Sequence, residues 1–304
     1  MLDVIKRKLT LKVSIALALL TIPPMVAAAY FITAQQTANI EQLTLSTAGI
    51  AAQSGAKMYA AVLESGIDNG MFMVSDLLDP TYEDIKGFDF GTNPRFHTKY
   101  DFYTDRMAGP LEDKIVESSP DFLFAVGVDI NGYLPTHNAR YTLPLTGDRA
   151  KDLVGNRAKR KFADTVGIAA AKNLEPKLVQ EYHRDTGELV WDVSAPIFIK
   201  GQHFGGFRIG VSVASVQAHK RHLLIQLSSV FCVLTVLTVG FIFIMLRRAM
   251  KPLEQLTEIA NQLSTGEILD EPIKPGTTDE IGQMAKSLNR IRLSLQSAMR
   301  RLGE

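Results

Sequence analysis

Residues 13–33 and 223–246 contain no charged side chain. Each run is long enough to cross the hydrocarbon core of a bilayer as a helix, which takes about 20 apolar residues. Lipid offers backbone groups no outside partner, so both runs are expected to be helical. Two spans leave an N-terminal stub, a loop of domain size and a C-terminal segment. Lys6, Arg7, Lys8 and Lys12 precede the first run, and no Lys or Arg follows it until Lys57. By the positive-inside rule the N-terminus is cytoplasmic. His219, Lys220, Arg221 and His222 precede the second run and Arg247, Arg248 and Lys251 follow it, so that run alone orients weakly. The expected divisions are 1–12 cytoplasmic, 13–33 first span, 34–222 external domain, 223–246 second span and 247–302 cytoplasmic. A cleaved signal peptide is the alternative for the first run, because Ala27-Ala28-Ala29 resembles a cleavage site and Pro23-Pro24 would kink a helix.

The net charge of +1 gives no electrostatic basis for nucleic-acid binding. Cys232 is the sole cysteine, which excludes an intrachain disulfide and a metal site built from clustered cysteines. His137, His183 and His203 have no paired spacing, so no metal and no cofactor is expected. The carboxylates Asp121, Asp129, Glu175, Asp185 and Glu188 show no recognisable pairing, and no nucleophile elbow, P-loop or zincin motif occurs. The chain is not expected to be an enzyme.

After the second run, Leu253, Leu256, Ala260 and Leu263 are spaced three, four and three apart. Ile281, Met284, Leu288, Ile291, Leu295, Ala298 and Leu302 alternate three and four. This is the a/d seam of a parallel coiled coil. Between the two helices, residues 264–278 hold Gly266, Pro272, Pro275 and Gly276 and cannot remain helical. Ile268 and Ile273 are apolar residues in that polar connector, and they are expected to pack on the bundle. Asp279 and Glu280 suit a helix N-terminus, where carboxylates meet the positive end of the dipole.

Pro252 after the span, two heptad helices, the connector and Asp279-Glu280-Ile281-Gly282 together resemble a HAMP domain. The resemblance implies a parallel four-helix bundle in a homodimer that relays conformational change from membrane helices to an output module. The relay positions it marks are Pro252, Leu253, Leu256, Ala260, Leu263, Asp279, Glu280, Gly282, Met284, Leu288, Ile291 and Leu295. A generic juxtamembrane coiled coil that only dimerises is the plainer alternative. The sequence stops at Glu304 with no output domain, so a separate cytoplasmic signalling protein is the expected recipient.

In the external region, residues 34–79 read as a long helix, broken near Gly66 and Gly70, with Ile40, Leu43, Ile50, Met58, Val62, Ile67, Met71, Val74 and Leu78 as its apolar stripe. Residues 81–121 have no clean period apart from a short helix over 111–118. From Phe122 the pattern is that of strands. An apolar run to Asp129, the Asn131-Gly132 turn and residues 133–137 read as a hairpin. Residues 148–172 read as irregular. Residues 179–184, 189–198 and 204–213 read as three more strands, and 215–222 as a link to the second span. Arg157, Lys159, Arg160 and Lys161 form a basic run, read as a solvated face near lipid headgroups rather than an anion site.

Phe122-Leu-Phe-Ala-Val-Gly-Val-Asp-Ile-Asn-Gly-Tyr133, Leu134-Pro-Thr-His-Asn-Ala-Arg-Tyr141, Trp191-Asp-Val-Ser-Ala-Pro-Ile-Phe198 and Gly205-Gly-Phe-Arg-Ile-Gly210 resemble the Cache family of extracellular sensor domains. They are most similar to the external part of methyl-accepting chemotaxis proteins. The long methylated cytoplasmic coiled coil of those receptors is missing. The resemblance implies an α+β membrane protein: a long helix with a PAS-like antiparallel sheet outside, two transmembrane helices and a HAMP bundle inside. It places a ligand pocket between the sheet and the loops crossing it. The candidate lining residues are Tyr133, His137, Asn138, Arg140, Tyr141, Tyr182, Arg184, Trp191 and Asp192. Arginine grips carboxylates in two-point fashion, and Tyr and Trp supply apolar walls with a polar edge.

The resulting expectation is a homodimeric receptor in a bacterial inner membrane with both termini cytoplasmic. It senses an external small molecule and signals to a separate partner, as in chemotaxis. The alternatives are a membrane-anchored dimeric scaffold that passes no signal, and a truncated chemoreceptor or sensor kinase.

Overall fold

The computed structural model describes residues 9–268, 270–274 and 276–302. Lys6, Arg7 and Lys8, which carry much of the orientation argument, and Pro275 of the connector lie outside the described residues. The chain divides into two compact units, one of Ala34–Leu224 and one of the segments Met1–Thr33 and Ile225–Glu304.

The elements run α1 (Leu9–Asp68), α2 (Val74–Leu78), β1 (Glu83–Asp84), β2 (Phe96–His97), α3 (Asp101–Met107), α4 (Gly109–Glu117), β3 (Phe122–Asp129) and β4 (Tyr133–Leu134). A 3-10 turn (Ala139–Tyr141) leads to α5 (Arg149–Gly155), β5 (Arg160–Lys161), α6 (Thr165–Lys172), β6 (Leu178–His183), β7 (Leu189–Ile199), β8 (Gln202–Ser212), α7 (Val213–Thr265) and α8 (Glu280–Leu302). Both α1 and α7 include a window long and apolar enough to cross a membrane. Helix α1 passes through Pro23 and Pro24 without ending, and the residues that follow Thr33 continue it to Asp68. It does not break at Gly66. The chain reverses just beyond Asp68, where Gly70 adopts φ +70.

The Ala34–Leu224 unit is built on a four-stranded antiparallel sheet in the order β3-β8-β7-β6. Successive side chains of a strand point to opposite faces, and that alternation separates two cores. From β7, Trp191, Val193, Ala195, Ile197 and Ile199 join Phe207, Ile209 and Val211 of β8 in the larger core. Helix α1 covers this face with Ala48, Ala52, Ala56, Tyr59 and Leu63, all buried. The apolar stripe expected on α1 is corrected in part, since Ile40, Val62 and Ile67 do pack against this core. Leu43, Ile50 and Met58 are exposed, and Ala48, Ala52 and Ala56 take the fully packed positions instead. Small residues let the helix axis approach the sheet, and the Phe207 ring lies where a side chain at Gly55 would stand. Burial of the Leu63 side chain contributes about 1.5–3 kcal/mol.

The opposite face of the sheet carries a smaller core of Phe124, Val126, Val128, Leu134, Ala171 and Val190. Helix α6 lies on this side, close enough that a Cβ on Gly206 would collide with the Ala170 carbonyl.

Three further expectations are corrected. Strands β3 and β4 do not form a hairpin: β3 pairs with β8, and β4 pairs with β5. Asp129 explains the difference, because its Oδ1 accepts from the backbone N–H of Asn131 and Tyr133, both at 2.9 Å, and turns the chain off the sheet. Residues 148–172 are not irregular. Asp148 and Asp164 cap α5 and α6 by accepting from backbone N–H groups of the first turn. There is also no link at 215–222, since α7 begins at Val213 directly after β8.

Candidate functional site

Four arginines converge on the face of the sheet away from α1. Arg208 comes from β8, where it stands opposite Ser194. Arg184 follows β6, and Arg157 and Arg160 flank the start of β5. All four are buried. They line a cleft of about 610 Å³ together with Phe162, Tyr182 and Asp185. Its floor is a small apolar pocket of Phe124, Val126, Val128 and Leu134, reached by Arg157, Arg184, Arg208 and His137. Arginine tolerates such a place because its guanidinium is weakly hydrated and lies flat on aromatic rings. Arg157 and Arg160 stack on Phe162, and Arg184 lies over Phe124 and Tyr141.

Three carboxylates answer these four cations. Arg208 Nε donates to Asp192 Oδ1 at 2.9 Å, with both side chains out of solvent. Asp185 pairs with Arg157 at 2.8 Å and with Arg160 at 3.3 Å. Arg184 pairs with Glu188 at 2.7 Å and donates to the Tyr141 hydroxyl at 3.3 Å. One positive charge is left over. Burial, and then the charge of Arg157, pull Arg160 down to about 10, which still leaves it protonated at neutral pH. Burial acts first on His137 too, and with the charges of Arg157 and Arg184 it holds the imidazole well below its ordinary value, hence neutral. Burial alone would raise Asp185, but hydrogen bonds and charge from Arg157 and Arg160 keep it below the usual carboxylate range. Among the described residues, Arg160 Nε and Nη1 and Arg184 Nε find no acceptor, although water does not reach them.

The cleft brings together four of the residues singled out from sequence. His137, Tyr182 and Arg184 line it or its floor, and Tyr141 closes on His137 at 4.7 Å between ring centroids. Asp192 lies beneath, as the partner of Arg208. The other four are elsewhere. Trp191 faces the α1 core and its indole N–H donates to Glu181 at 2.7 Å. Tyr133 sits in that core and donates to the Phe96 carbonyl at 2.8 Å. Asn138 is buried and pins its loop to β3 by accepting from the Ala125 N–H at 2.9 Å. Arg140 is exposed.

The reading of the basic run as a solvated face is overturned. Arg157 and Arg160 are buried in the cleft, Lys159 pairs with Asp101 and Asp105, and Lys161 lies 3.3 Å from the Tyr82 ring centroid. Arg208 was missed although a signal existed. It is a charge between Phe207 and Ile209 in an apolar strand, as Asp192 is between Trp191 and Val193, and period 2 puts both on the same face.

In the second unit, the end of α7 and helix α8 enclose Leu256, Ile273 and Ala285, with Ile259, Ile281 and Leu288 packed against them. Ile273 of the connector is held there as its N–H donates to Asn289 Oδ1 at 3.1 Å. Ile268 is half-buried. Asp279 caps α8, accepting from the N–H of Ile281 and Gly282 at 3.1 and 3.2 Å. A Cβ on Gly282 would meet the Thr277 carbonyl, so the tight cap requires glycine. Glu280 opens α8 just beyond this cap. Leu263 is buried, while Pro252, Leu253 and Ala260 are half-buried. Met284, Ile291 and Leu295 are exposed in the single chain.

The model of the HAMP domain family matches residues 244–297. No curated protein matches the chain. Among solved structures, the sensory domain of the Campylobacter jejuni chemoreceptor Tlp3 (CcmL) is similar at 13% identity and a TM-score of 0.28, covering 64% of this chain and 67% of that one.

Proposed function

We propose that this chain is a homodimeric transmembrane receptor of chemoreceptor type. Its Ala34–Leu224 unit lies outside the membrane and binds a small molecule in the arginine-lined cleft, α1 and α7 each cross the bilayer, and the HAMP domain relays the signal to a separate cytoplasmic protein. The observation that carries this reading is the HAMP match at 244–297, which begins inside the apolar part of a helix and continues into α8. The sheet has one face packed on a helix that leads into a span and one face open as a cleft. That arrangement suits a sensor: an event in the cleft can change sheet packing, and the helix can pass a small displacement to a two-state bundle. The exposed Met284, Ile291 and Leu295 fit a seam that a second copy covers. No catalytic step is assigned.

The test is disulfide cross-linking of Ile291→Cys in a Cys232→Ser background, in native membranes. A receptor of this kind gives covalent dimers, and Leu288→Asp with Leu295→Asp abolishes them. Membranes in which Ile291→Cys remains monomeric under oxidant would overturn the reading.

A further inference from the structure

The two carboxylates of the β6–β7 turn, Asp185 and Glu188, pair with three of the four cleft arginines, yet neither is sealed in. Their side chains are 35% and 52% exposed, whereas the arginines they meet are at most 5% exposed. The turn is held by two backbone hydrogen bonds, Arg184 N–H to Glu188 O and Gly187 N–H to Arg184 O, and Gly187 takes φ +87. Asp185 reaches Arg157 and Arg160, while Glu188 reaches Arg184, so the cleft presents two separate carboxylate positions. Three arginine nitrogens, Nε and Nη1 of Arg160 and Nε of Arg184, have no acceptor among the described residues and are closed to water. An acceptor reaches those closed donors only when a group around them moves.

We propose that Asp185 and Glu188 stand, in the unliganded protein, where the carboxylates of a short dicarboxylate ligand stand in the bound one. Binding exchanges one pair of carboxylates for the other and releases the turn. This rests on the reading of the cleft as the ligand site. The exchange conserves charge in the cleft, since the ligand brings two negative charges as the turn carries two out to water. The ligand's carbon chain lies between Phe162 and Tyr182, and its extra acceptors satisfy the idle donors of Arg160 and Arg184. A buried donor left without an acceptor disfavours the empty state, so satisfying it favours exchange.

The experiment is calorimetric titration of the full chain in lipid nanodiscs with succinate, acetate, inorganic phosphate and putrescine. Succinate binds, and acetate and phosphate bind at least about tenfold more weakly. Removing an internal competitor tightens binding, so Asp185→Asn and Glu188→Gln each bind succinate about tenfold more tightly, the worth of one charge-assisted hydrogen bond. Arg160→Gln binds at least about tenfold more weakly. Glu188 is exposed enough that its variant keeps the fold if Asp185→Asn does not. Succinate binding that is weakened or unchanged in Glu188→Gln overturns the exchange, as does equal affinity for acetate or phosphate, preference for putrescine, or no binding of succinate. Cross-linking at Ile291→Cys separates the two levels. If succinate binds as described and leaves the cross-linking yield unaltered, the receptor reading fails and the exchange stands. If only another ligand alters the yield and succinate does not bind, the exchange fails and the receptor reading stands.

Discussion

Replacing Asp192 by alanine strands the Arg208 guanidinium inside the domain. The two side chains are 0% and 6% exposed, and Arg208 Nε lies 2.9 Å from Asp192 Oδ1. Solvent therefore screens the charge little, and a buried charge that loses its partner costs about 3–5 kcal/mol. For a domain of 150–250 residues each kcal/mol shifts the melting temperature by about 2–4 °C. The expected drop is then roughly 6–20 °C. Replacing both residues, Asp192→Leu with Arg208→Met, removes the two charges together. That variant is expected within about 1 kcal/mol of the parent, or above it. The double-mutant cycle thus carries a coupling of several kcal/mol, far beyond the 1 kcal/mol typical of a surface pair. Trp191, the one tryptophan of the chain, is adjacent to Asp192 and packs in the α1 core, so its fluorescence follows unfolding of this domain. Denaturant melts of the full chain in detergent measure all four corners of the cycle. A cost below about 1 kcal/mol for Asp192→Ala, or a double variant no better than the worse single one, would refute the reasoning.

Glu112 is fully buried with one hydrogen bond, from the Gly127 N–H at 3.0 Å, and burial pushes its carboxyl well up. The folded state holds the proton to higher pH than the unfolded chain does, so stability falls as pH rises above about 4.3 toward the raised folded value. Glu112→Gln is expected to flatten that slope and to melt above the parent at pH 8; an unchanged slope counts against it. In the second unit, Asp279→Ala removes the acceptor for two backbone N–H groups of α8. It lowers the helicity and thermal stability of the HAMP unit, while Asp279→Ser restores much of both. Circular dichroism melts decide the matter, and equal stability with all three residues would show that the cap contributes nothing.

The parts legible in the sequence were those with a strong period. Strands β6 to β8 lie within a few residues of their expected places because their turns, Asp185-Thr-Gly-Glu188 and Lys200-Gly201, are specific. The heptads and Asp279-Glu280 located α8 in the same way. The β3–β4 hairpin was misread because Asn131-Gly132 signals a turn but not what the chain pairs with afterwards, and the Asp129 side chain decides that. The α1 stripe is legible only in part, at Ile40, Val62 and Ile67, because a helix lying close on a sheet selects small residues such as Ala48, Ala52 and Ala56, which carry no strong apolar period. The arginine cleft was half seen. Arg184, Tyr182 and His137 were named, but Arg157 and Arg160 sit in a basic run whose burial depends on residues far away in sequence. No local pattern distinguishes such a run from a solvated one.

Strand β7 carries the two duties of this domain on alternate residues. Trp191, Val193, Ala195 and Ile197 pack toward α1, while Asp192 and Ser194 point to the cleft side. Neighbouring residues thus answer to different physical constraints. On the receptor reading proposed above, a substitution on the cleft side changes what the cleft accepts without disturbing the packing that holds the long helix. Drift on the other side is confined by contacts as close as Gly55 on Phe207. Chains that share this frame are expected to differ most at every second position of these strands.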